Sequence, residues 1–145
     1  MNSQFRKTVH ILLVEDSPTD TMLTIKALKQ ARSDIKISHV SDGIEAIEFL
    51  KGQGSYKTAQ KPDLILLDLN LPRKNGQEVL EELKTDPVLR VIPIVVLTTS
   101  HDQRDILQSY RLYANGFVSK PVGFDSFNEV INQIEKFWLS AATLP

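Results

Sequence analysis

Short apolar runs alternate with helical patterns along the chain, and this alternation constrains the fold more than any other feature of the sequence. Residues 9–14 (VHILLV), 63–67 (DLILL) and 93–97 (PIVVL) are nearly continuous apolar runs rich in branched side chains, as is typical of parallel strands that are covered on both faces. Residues 116–119 (GFVS) form a shorter run, and residues 35–40 (IKISHV) alternate, which favours a less covered edge strand. The sequence therefore predicts five strands.

Helix start signals and apolar stripes fall between and after these strands. Side chains that can accept a hydrogen bond from free backbone N–H groups stand where the first four helices should begin. They are Ser17, Asp42, Asn75 and Ser100. The fifth helix carries a wide apolar stripe, which predicts that one of its faces covers the sheet. This stripe consists of Phe124, Phe127, Val130, Ile131, Ile134 and Phe137. Because strand and helix alternate, right-handed crossovers give an α/β fold with a doubly wound, five-stranded parallel sheet and helices on both faces.

Length and composition exclude several classes of function. A chain of 145 residues has the usual size of one domain, so we expect residues 1–145 to form a single domain with no effector domain. The net charge of −1 supplies no electrostatic footprint for a nucleic acid. The apolar run at 9–14 is too short for a membrane span, and the lack of cysteine is compatible with the cytoplasm. We therefore expect a cytoplasmic protein that binds neither nucleic acid nor membrane.

Charged and polar side chains follow the predicted central strands. Glu15 and Asp16 come after the first strand, Asp68 after the third, Thr98 after the fourth and Lys120 after the fifth. In a doubly wound sheet, functional groups gather beyond the carboxyl ends of the strands. Carboxylates brought so close together repel one another unless a cation lies between them. An all-oxygen ligand set is the preference of Mg²⁺, which we expect to bind here.

The same residues predict phosphoryl-transfer chemistry. The carboxylate of Asp68 can attack a phosphorus atom while a metal ion offsets the incoming negative charge. Thr98 can donate a hydrogen bond to the phosphoryl group, and the Lys120 ammonium can pair with it. An acid that follows a strand is often only a helix cap, so the prediction depends on the joint occurrence of these side chains at strand ends.

At these positions the sequence resembles the receiver domain of two-component response regulators. The resemblance rests on Glu15-Asp16, on Asp68 within DLNLP, on Gly76, on Thr98 after PIVVL and on Lys120-Pro121. It covers nearly the whole chain. Asp68 and Thr98 are 30 residues apart, and Thr98 and Lys120 are 22 apart, in agreement with the family.

The resemblance implies a role for each of these residues. Asp68 would be the phospho-acceptor, and Mg²⁺ would be bound by Asp16, Asp68 and the backbone carbonyl of Asn70, with Glu15 acting through water or as an outer acid. Thr98 and Lys120 would contact the phosphoryl group, and Phe117 would be the aromatic switch residue. The protein would then be a signalling switch and not a true enzyme: it would take a phosphoryl group from a histidine kinase and slowly hydrolyse its own acyl phosphate.

Three further sequence features are similar to one group within this family. They are the segment at 52–61, which lengthens the connection before the third strand, and the stretches NLPRKNG and VVLTTS. This combination resembles the stand-alone regulators that are partnered with bacterial, cyanobacterial-type phytochrome histidine kinases. The resemblance therefore implies a phytochrome as the kinase and a role in light signalling.

Three other functions are compatible with an α/β chain of this kind. A phosphatase with an aspartate nucleophile would need a second acid two residues later, where Asn70 stands. A flavin- or nucleotide-binding module would need a glycine-rich loop after the first strand, where EDSPTD stands. A receiver-like scaffold that no longer binds metal is the third alternative, and the intact acidic set argues against it.

The C-terminal segment predicts an interface. The stripe of the fifth helix suffices to cover one sheet face, which leaves Trp138, Leu139 and Leu144 without an evident internal place. Exposed apolar side chains of this kind suit a partner or dimer surface. We therefore expect a homodimer through the face formed by the fourth helix, fifth strand and fifth helix, with Trp138 and Leu139 contributing.

Overall fold

The computed structural model describes residues 8–145 as five strands and five α-helices in strict alternation. In chain order they are β1 (Val9–Val14), α1 (Pro18–Ala31), β2 (Ile35–Val40), α2 (Gly43–Lys51), β3 (Leu64–Leu67), α3 (Gly76–Thr85), β4 (Ile94–Thr98), α4 (Gln103–Arg111), β5 (Gly116–Ser119) and α5 (Phe124–Ile134). Helix α5 continues into a π-helical segment, Glu135–Ala141, and single 3₁₀ turns occupy Gly54–Tyr56 and Leu89–Val91.

The strands form one parallel sheet in the order β2-β1-β3-β4-β5, so the predicted α/β, doubly wound fold is confirmed. Val14 of β1 is paired with Leu67 of β3, and Thr98 of β4 is paired with Ser119 of β5. The residues that follow these pairs therefore emerge at one edge of the sheet. The order reverses between β1 and β3, and side chains at such a switch point can converge on a shared crevice.

Two apolar clusters cover the two faces of the sheet. The alternation along β1 shows the division, because Leu12 and Val14 point into one cluster and Ile11 and Leu13 into the other. Helices α2 and α3 supply side chains to the first cluster, and α1 and α5 to the second. Among residues 8–145, no helix has both the length and the apolar character that crossing a membrane requires.

Helix α4 begins two residues later than a Ser100 cap would place it. Its N-cap is Asp102, whose side chain accepts the Arg104 N–H. The Ser100 hydroxyl instead accepts the Asp102 N–H and donates to the Asp105 carboxylate at 2.7 Å. Ser100 thus braces the loop before the helix, which explains why a capping pattern read from sequence lies out of place here.

The inward-facing residues of α5 and the C-terminal segment differ from the predicted apolar stripe. Phe124 and Phe137 are 58% and 57% exposed, whereas Leu139 is only 6% exposed and belongs to the second core cluster. Trp138 also packs against that cluster. The cause is the π-helical winding: Leu139 follows the buried Ile134 by five residues, which is the π-helical hydrogen-bond period, so it takes the inward position that α-helical spacing gives to Phe137. The expectation that Leu139 has no internal place is therefore wrong.

Candidate functional site

Three carboxylates meet at the carboxyl ends of β1 and β3. Glu15, Asp16 and Asp68 each offer an oxygen, and these oxygens all lie within 4.8 Å of one another. Glu15 and Asp68 are 2% and 6% exposed, whereas Asp16 is exposed. The register between β1 and β3 produces this meeting, because both acidic positions directly follow a paired residue. The structure thus brings the predicted acidic residues together.

Lys120 joins this group from the end of β5. Its ammonium, which is buried, donates to Glu15 Oε1 at 2.5 Å and to Asp68 Oδ2 at 3.1 Å. It also donates to Asp20 Oδ2 at 2.9 Å. The backbone fixes the stem of the side chain, because the Lys120 N–H donates to the Thr98 carbonyl at 2.6 Å. One ammonium therefore bridges β1, α1 and β3.

The contact between Asp20 and Lys120 is one that the sequence pattern does not predict. Asp20 stands three residues after the helix cap Ser17, a place where an acid is expected simply to complete a capping box. The sequence therefore favours a structural role for Asp20 as a helix cap. Only the contact with Lys120 in the folded structure identifies Asp20 as part of the site.

Burial governs the charge states at this site. Burial raises the pKa of Glu15 to about 7; the nearby Asp68 charge acts in the same direction, and the hydrogen bond from Lys120 limits the increase. For Lys120, burial acts to lower the pKa, but the hydrogen bonds to Glu15 and Asp20 and the charge of Asp68 outweigh it and hold the pKa above its usual value. The ammonium therefore stays charged, while its acidic neighbours carry an excess of negative charge.

The three carboxylates fit a divalent cation. Their oxygens lie close enough to share one ion, and carboxylate oxygens are the ligands that hard cations prefer. Burial raises the pKa of Glu15 and the charge of Asp68 adds to the shift, so a cation at this place would favour the ionised carboxylates. Asp16, being exposed, leaves the group open to solvent on one side.

The loop after β3 holds the Asp68 carboxylate in place. The Asn70 N–H donates to Asp68 Oδ1 at 3.1 Å, so both oxygens of the carboxylate have donors. Gly76 lies against the backbone of this loop: a β-carbon there would come within 2.3 Å of the Asp68 carbonyl oxygen. A residue without a side chain is required at position 76 because the two segments approach so closely.

Thr98 and Phe117 line the β4 and β5 side of the sheet. The Thr98 hydroxyl is fully buried and has no hydrogen-bond partner among the described residues. A buried donor without an acceptor destabilises the fold. A ligand oxygen that accepted its hydrogen bond would remove this penalty, which would favour binding of the ligand. Phe117 is half-buried and packs against the first core cluster. Neither Trp138 nor Leu139 belongs to this group of residues, since both lie with the second core cluster.

Comparison with known proteins points to one family. Residues 11–132 match the family of the response regulator receiver domain. The chain is 46% identical over 135 residues to response regulator Rcp1 of Synechocystis sp., an alignment that covers 93% of this chain and 92% of the relative. It is also 35% identical over 130 residues to the probable methanogenesis regulatory protein FilR2 of Methanothrix harundinacea, covering 89% of this chain and 83% of the relative.

Solved structures show the same similarity. A crystal structure of the Mn²⁺-bound form of response regulator Rcp1 is 45% identical with a TM-score of 0.91, covering 94% of this chain and 99% of that one. A crystal structure of the phosphorylated cyanobacterial phytochrome response regulator RcpA is 45% identical with a TM-score of 0.93, covering 96% of this chain and 99% of that one. The first of these structures holds a divalent metal, and the second is phosphorylated.

Proposed function

This chain belongs to the response regulator receiver domain family, and from that premise we propose that Asp68 accepts a phosphoryl group from a histidine kinase. The family is a signalling family, so the chain is a signalling protein and not an enzyme in the usual sense. The observation that carries the proposal is the buried Asp68 carboxylate, which shares the Lys120 ammonium with Glu15.

The geometry supports a simple transfer step. One oxygen of Asp68 attacks the phosphorus of a phosphohistidine; an O–P bond forms, the N–P bond breaks, and its electron pair returns to the imidazole nitrogen. Lys120 stands 3.1 Å from Asp68 Oδ2, within reach of an oxygen of the transferred group. Thr98, whose buried hydroxyl has no partner among the described residues, would donate to another. Phe117 lies in β5, paired with Val96 of β4, and would transmit the change to the surface.

We propose Mg²⁺ as the metal, held by Asp16, Asp68 and the Asn70 backbone carbonyl, with Glu15 as an outer acid. Bound there, the ion would offset the negative charge of the carboxylates and of the phosphoryl group. The chain itself orients the acceptor: the Asn70 backbone N–H donates to Asp68 Oδ1, and the Lys120 ammonium donates to Asp68 Oδ2. Slow hydrolysis of the acyl phosphate then returns the switch to its resting state.

Phosphorylation from a small donor tests this proposal. The protein is incubated with acetyl phosphate and Mg²⁺, and intact mass is measured. We expect the mass to rise by one phosphoryl group in the wild type and in Asp125→Asn, which removes an exposed carboxylate from the first turn of α5. We expect no rise in Asp68→Asn. A phosphorylated Asp68→Asn protein would assign the reaction to another residue.

For the partner, we propose a phytochrome histidine kinase of the bacterial or cyanobacterial type. Relatives that bear phytochrome in their descriptions support it, including RcpA and the bacteriophytochrome response regulator AtBRR, which is 41% identical. Transfer from a purified phosphorylated phytochrome kinase is compared with transfer from an unrelated histidine kinase. Equal rates with both would remove the phytochrome assignment while leaving Asp68 as acceptor.

We further propose that residues 1–145 act in the cytoplasm as one receiver domain, without binding nucleic acid or membrane, and that output passes through a homodimer. The exposed apolar side chains on α4, α5 and the π-helical segment that suit such a dimer are Leu107, Tyr110, Phe124 and Phe137. Sedimentation equilibrium of the wild type and of Phe137→Ser, with and without phosphorylation, measures the association. A wild type that stays monomeric at high micromolar concentration would leave a different protein as the partner.

A further inference from the structure

The Asp20 carboxylate makes a contact that its place in the helix does not predict. Asp20 is the third residue of α1 after the N-cap Ser17, and its own N–H donates to the Ser17 hydroxyl. In a capping box, the carboxylate at this position would accept the N–H of the cap residue. Here that N–H donates to Glu15 Oε2 at 3.1 Å. The Asp20 carboxylate is therefore released from capping and reaches Lys120 Nζ at 2.9 Å.

All three N–H groups of the Lys120 ammonium are matched by acceptors. A lysine ammonium has three donors, and the three contacts go to Glu15 at 2.5 Å, Asp20 at 2.9 Å and Asp68 at 3.1 Å. Of these acceptors, Glu15 directly follows β1, in the short segment that carries the Ser17 cap, and Asp20 lies in the first turn of α1. The third is the proposed phospho-acceptor, and it makes the longest contact of the three.

We propose that Asp20 is a positioning residue: together with Glu15 it anchors the Lys120 ammonium so that the third N–H is aimed at the phosphorylation site. The proposal rests on the proposed function of Asp68. A lysine side chain is a flexible four-carbon stem with a rotatable point charge, so a directed hydrogen bond from it requires fixed anchors. With Glu15 and Asp20 holding two N–H groups, the third exchanges an Asp68 oxygen for a phosphoryl oxygen without moving the stem.

The anchor acts from outside the metal group. The carboxylates that lie within reach of a shared ion are Glu15, Asp16 and Asp68, and Asp20 is not one of them. The Asp20 side chain is 28% exposed, against 3% for Lys120. Loss of the Asp20 carboxylate should therefore change the phosphoryl contact made by Lys120, while binding of the metal changes little.

Binding of beryllofluoride, an anion that mimics a phosphoryl group on a carboxylate, tests the anchor. Its dissociation constant is measured by calorimetry at saturating Mg²⁺ in the full chain. For Asp20→Ala we expect affinity to fall about fivefold, the upper range for a partly exposed ion pair. Asp20→Asn keeps an acceptor oxygen and should recover part of the loss. Asp125→Ala removes an exposed carboxylate from another first helical turn and should bind as the wild type does.

A double-mutant cycle separates positioning from a general effect of charge or fold. In a Lys120→Ala background, removal of the Asp20 carboxylate should leave the beryllofluoride affinity unchanged, because the residue through which Asp20 acts is gone. A loss of the same size in that background would overturn the proposal. Tighter binding in Asp20→Ala would also overturn it, since Asp20 would then compete with the phosphoryl group for Lys120.

The Lys120 ammonium resonance gives a readout that does not depend on phosphorylation. A buried ammonium with three acceptors exchanges its protons slowly, so we expect its ¹⁵N signal in the wild type and its loss in Asp20→Ala. If the wild type neither binds beryllofluoride nor becomes phosphorylated, the proposed function of Asp68 fails, and this signal still tests the anchor. An unchanged signal in Asp20→Ala would show that Glu15 and Asp68 suffice to hold Lys120.

Discussion

At the scale of single residues, the site combines one side chain whose three donors all have acceptors with one whose hydroxyl has none. Lys120 serves three carboxylates, whereas the buried Thr98 hydroxyl has no partner among the described residues. The strand-end positions of both were predictable from sequence, since residues after paired strand positions must share one edge. The involvement of Asp20 was not predictable. An acid at this position caps the helix only if the N–H of the cap residue has no other acceptor, and here the Ser17 N–H donates to Glu15.

The Thr98 hydroxyl predicts a substitution with opposite effects on stability and function. Thr98→Val keeps the shape but removes the unpartnered hydroxyl, so the free energy of unfolding should rise by about 1 kcal/mol in urea titrations. The phosphorylated fraction reached with acetyl phosphate should fall. Thr24 in α1 supplies a matched control, because its hydroxyl is also buried and, within residues 8–145, has no partner. Thr24→Val should show the gain in stability alone. Equal phosphorylation of the two variants would remove Thr98 from the site.

His10 predicts a dependence of stability on pH. Its ring is buried, and this burial lowers its pKa below 6.5 in the folded state, although the Lys61 carbonyl acts against the shift. The unfolded chain therefore binds a proton more readily than the folded one, and the contribution of His10 to stability is complete above pH 6.5 and is lost as the pH falls through the folded pKa. Urea unfolding of His10→Gln should show a shallower loss of stability below pH 6.5. Identical slopes for both proteins would contradict this.

At the scale of the elements, boundaries followed from sequence wherever local chemistry decides them. The bounds of β1, β2 and β5 agree with the apolar runs, and Asp42 and Asn75 cap α2 and α3 as expected. The start of α4 and the end of α5 could not be predicted from the sequence. In the first case Ser100 bonds to side chain and backbone across the loop, and in the second a change of helical winding alters which residues face inward.

The contact between α3 and the loop after β3 predicts that Gly76→Ala destabilises the fold. Alanine normally improves a helix relative to glycine by up to about 1 kcal/mol. Here the new β-carbon would lie 2.3 Å from the Asp68 carbonyl oxygen and 2.6 Å from the Leu69 α-carbon, so we expect a net loss of about 1–3 kcal/mol from overpacking. Gly116→Ala is the control, since its nearest neighbour would lie at 3.8 Å. A stabilised Gly76→Ala protein in urea unfolding would mean that the loop moves away freely.

The π-helical segment predicts a large difference between two neighbouring apolar residues. Leu139 is in the second core cluster, and its carbonyl accepts a hydrogen bond from the Arg32 guanidinium. Leu139→Ala should therefore cost about 2–5 kcal/mol of unfolding free energy. Phe137→Ala removes a side chain that is 57% exposed and should change stability by about 0.5 kcal/mol or less. If Phe137→Ala cost more stability than Leu139→Ala, the segment would instead be α-helical, with Leu139 facing outward.

At the scale of the whole molecule, apolar clusters bury the three central strands on both faces, and the unfavourable electrostatic repulsion lies at one edge of the sheet. The interior clusters are apolar on both sides, whereas the carboxyl edge gathers Glu15, Asp16 and Asp68 with oxygens within 4.8 Å of one another. Sequence sufficed to place these acids together because parallel pairing fixes which residues leave the sheet side by side. The stability of the whole fold therefore depends on the binding of a cation that offsets the negative charge of these carboxylates.

This linkage predicts that Mg²⁺ raises the melting temperature of the entire protein. An ion bound by the folded state alone stabilises it by about 2.7 kcal/mol at a concentration 100 times its dissociation constant. Burial is the main cause of the raised pKa of Glu15 and the charge of Asp68 adds to it; the ion would offset that charge. Calorimetric melting with increasing Mg²⁺ measures the effect. Asp16→Asn removes an exposed member of the acidic group without touching the Lys120 contacts, so its melting temperature should respond much less. Asp68→Asn should melt at a higher temperature than the metal-free wild type, because one of the repelling charges is gone. If Asp16→Asn responded to Mg²⁺ as strongly as the wild type, the ion would be bound at a different place on the molecule.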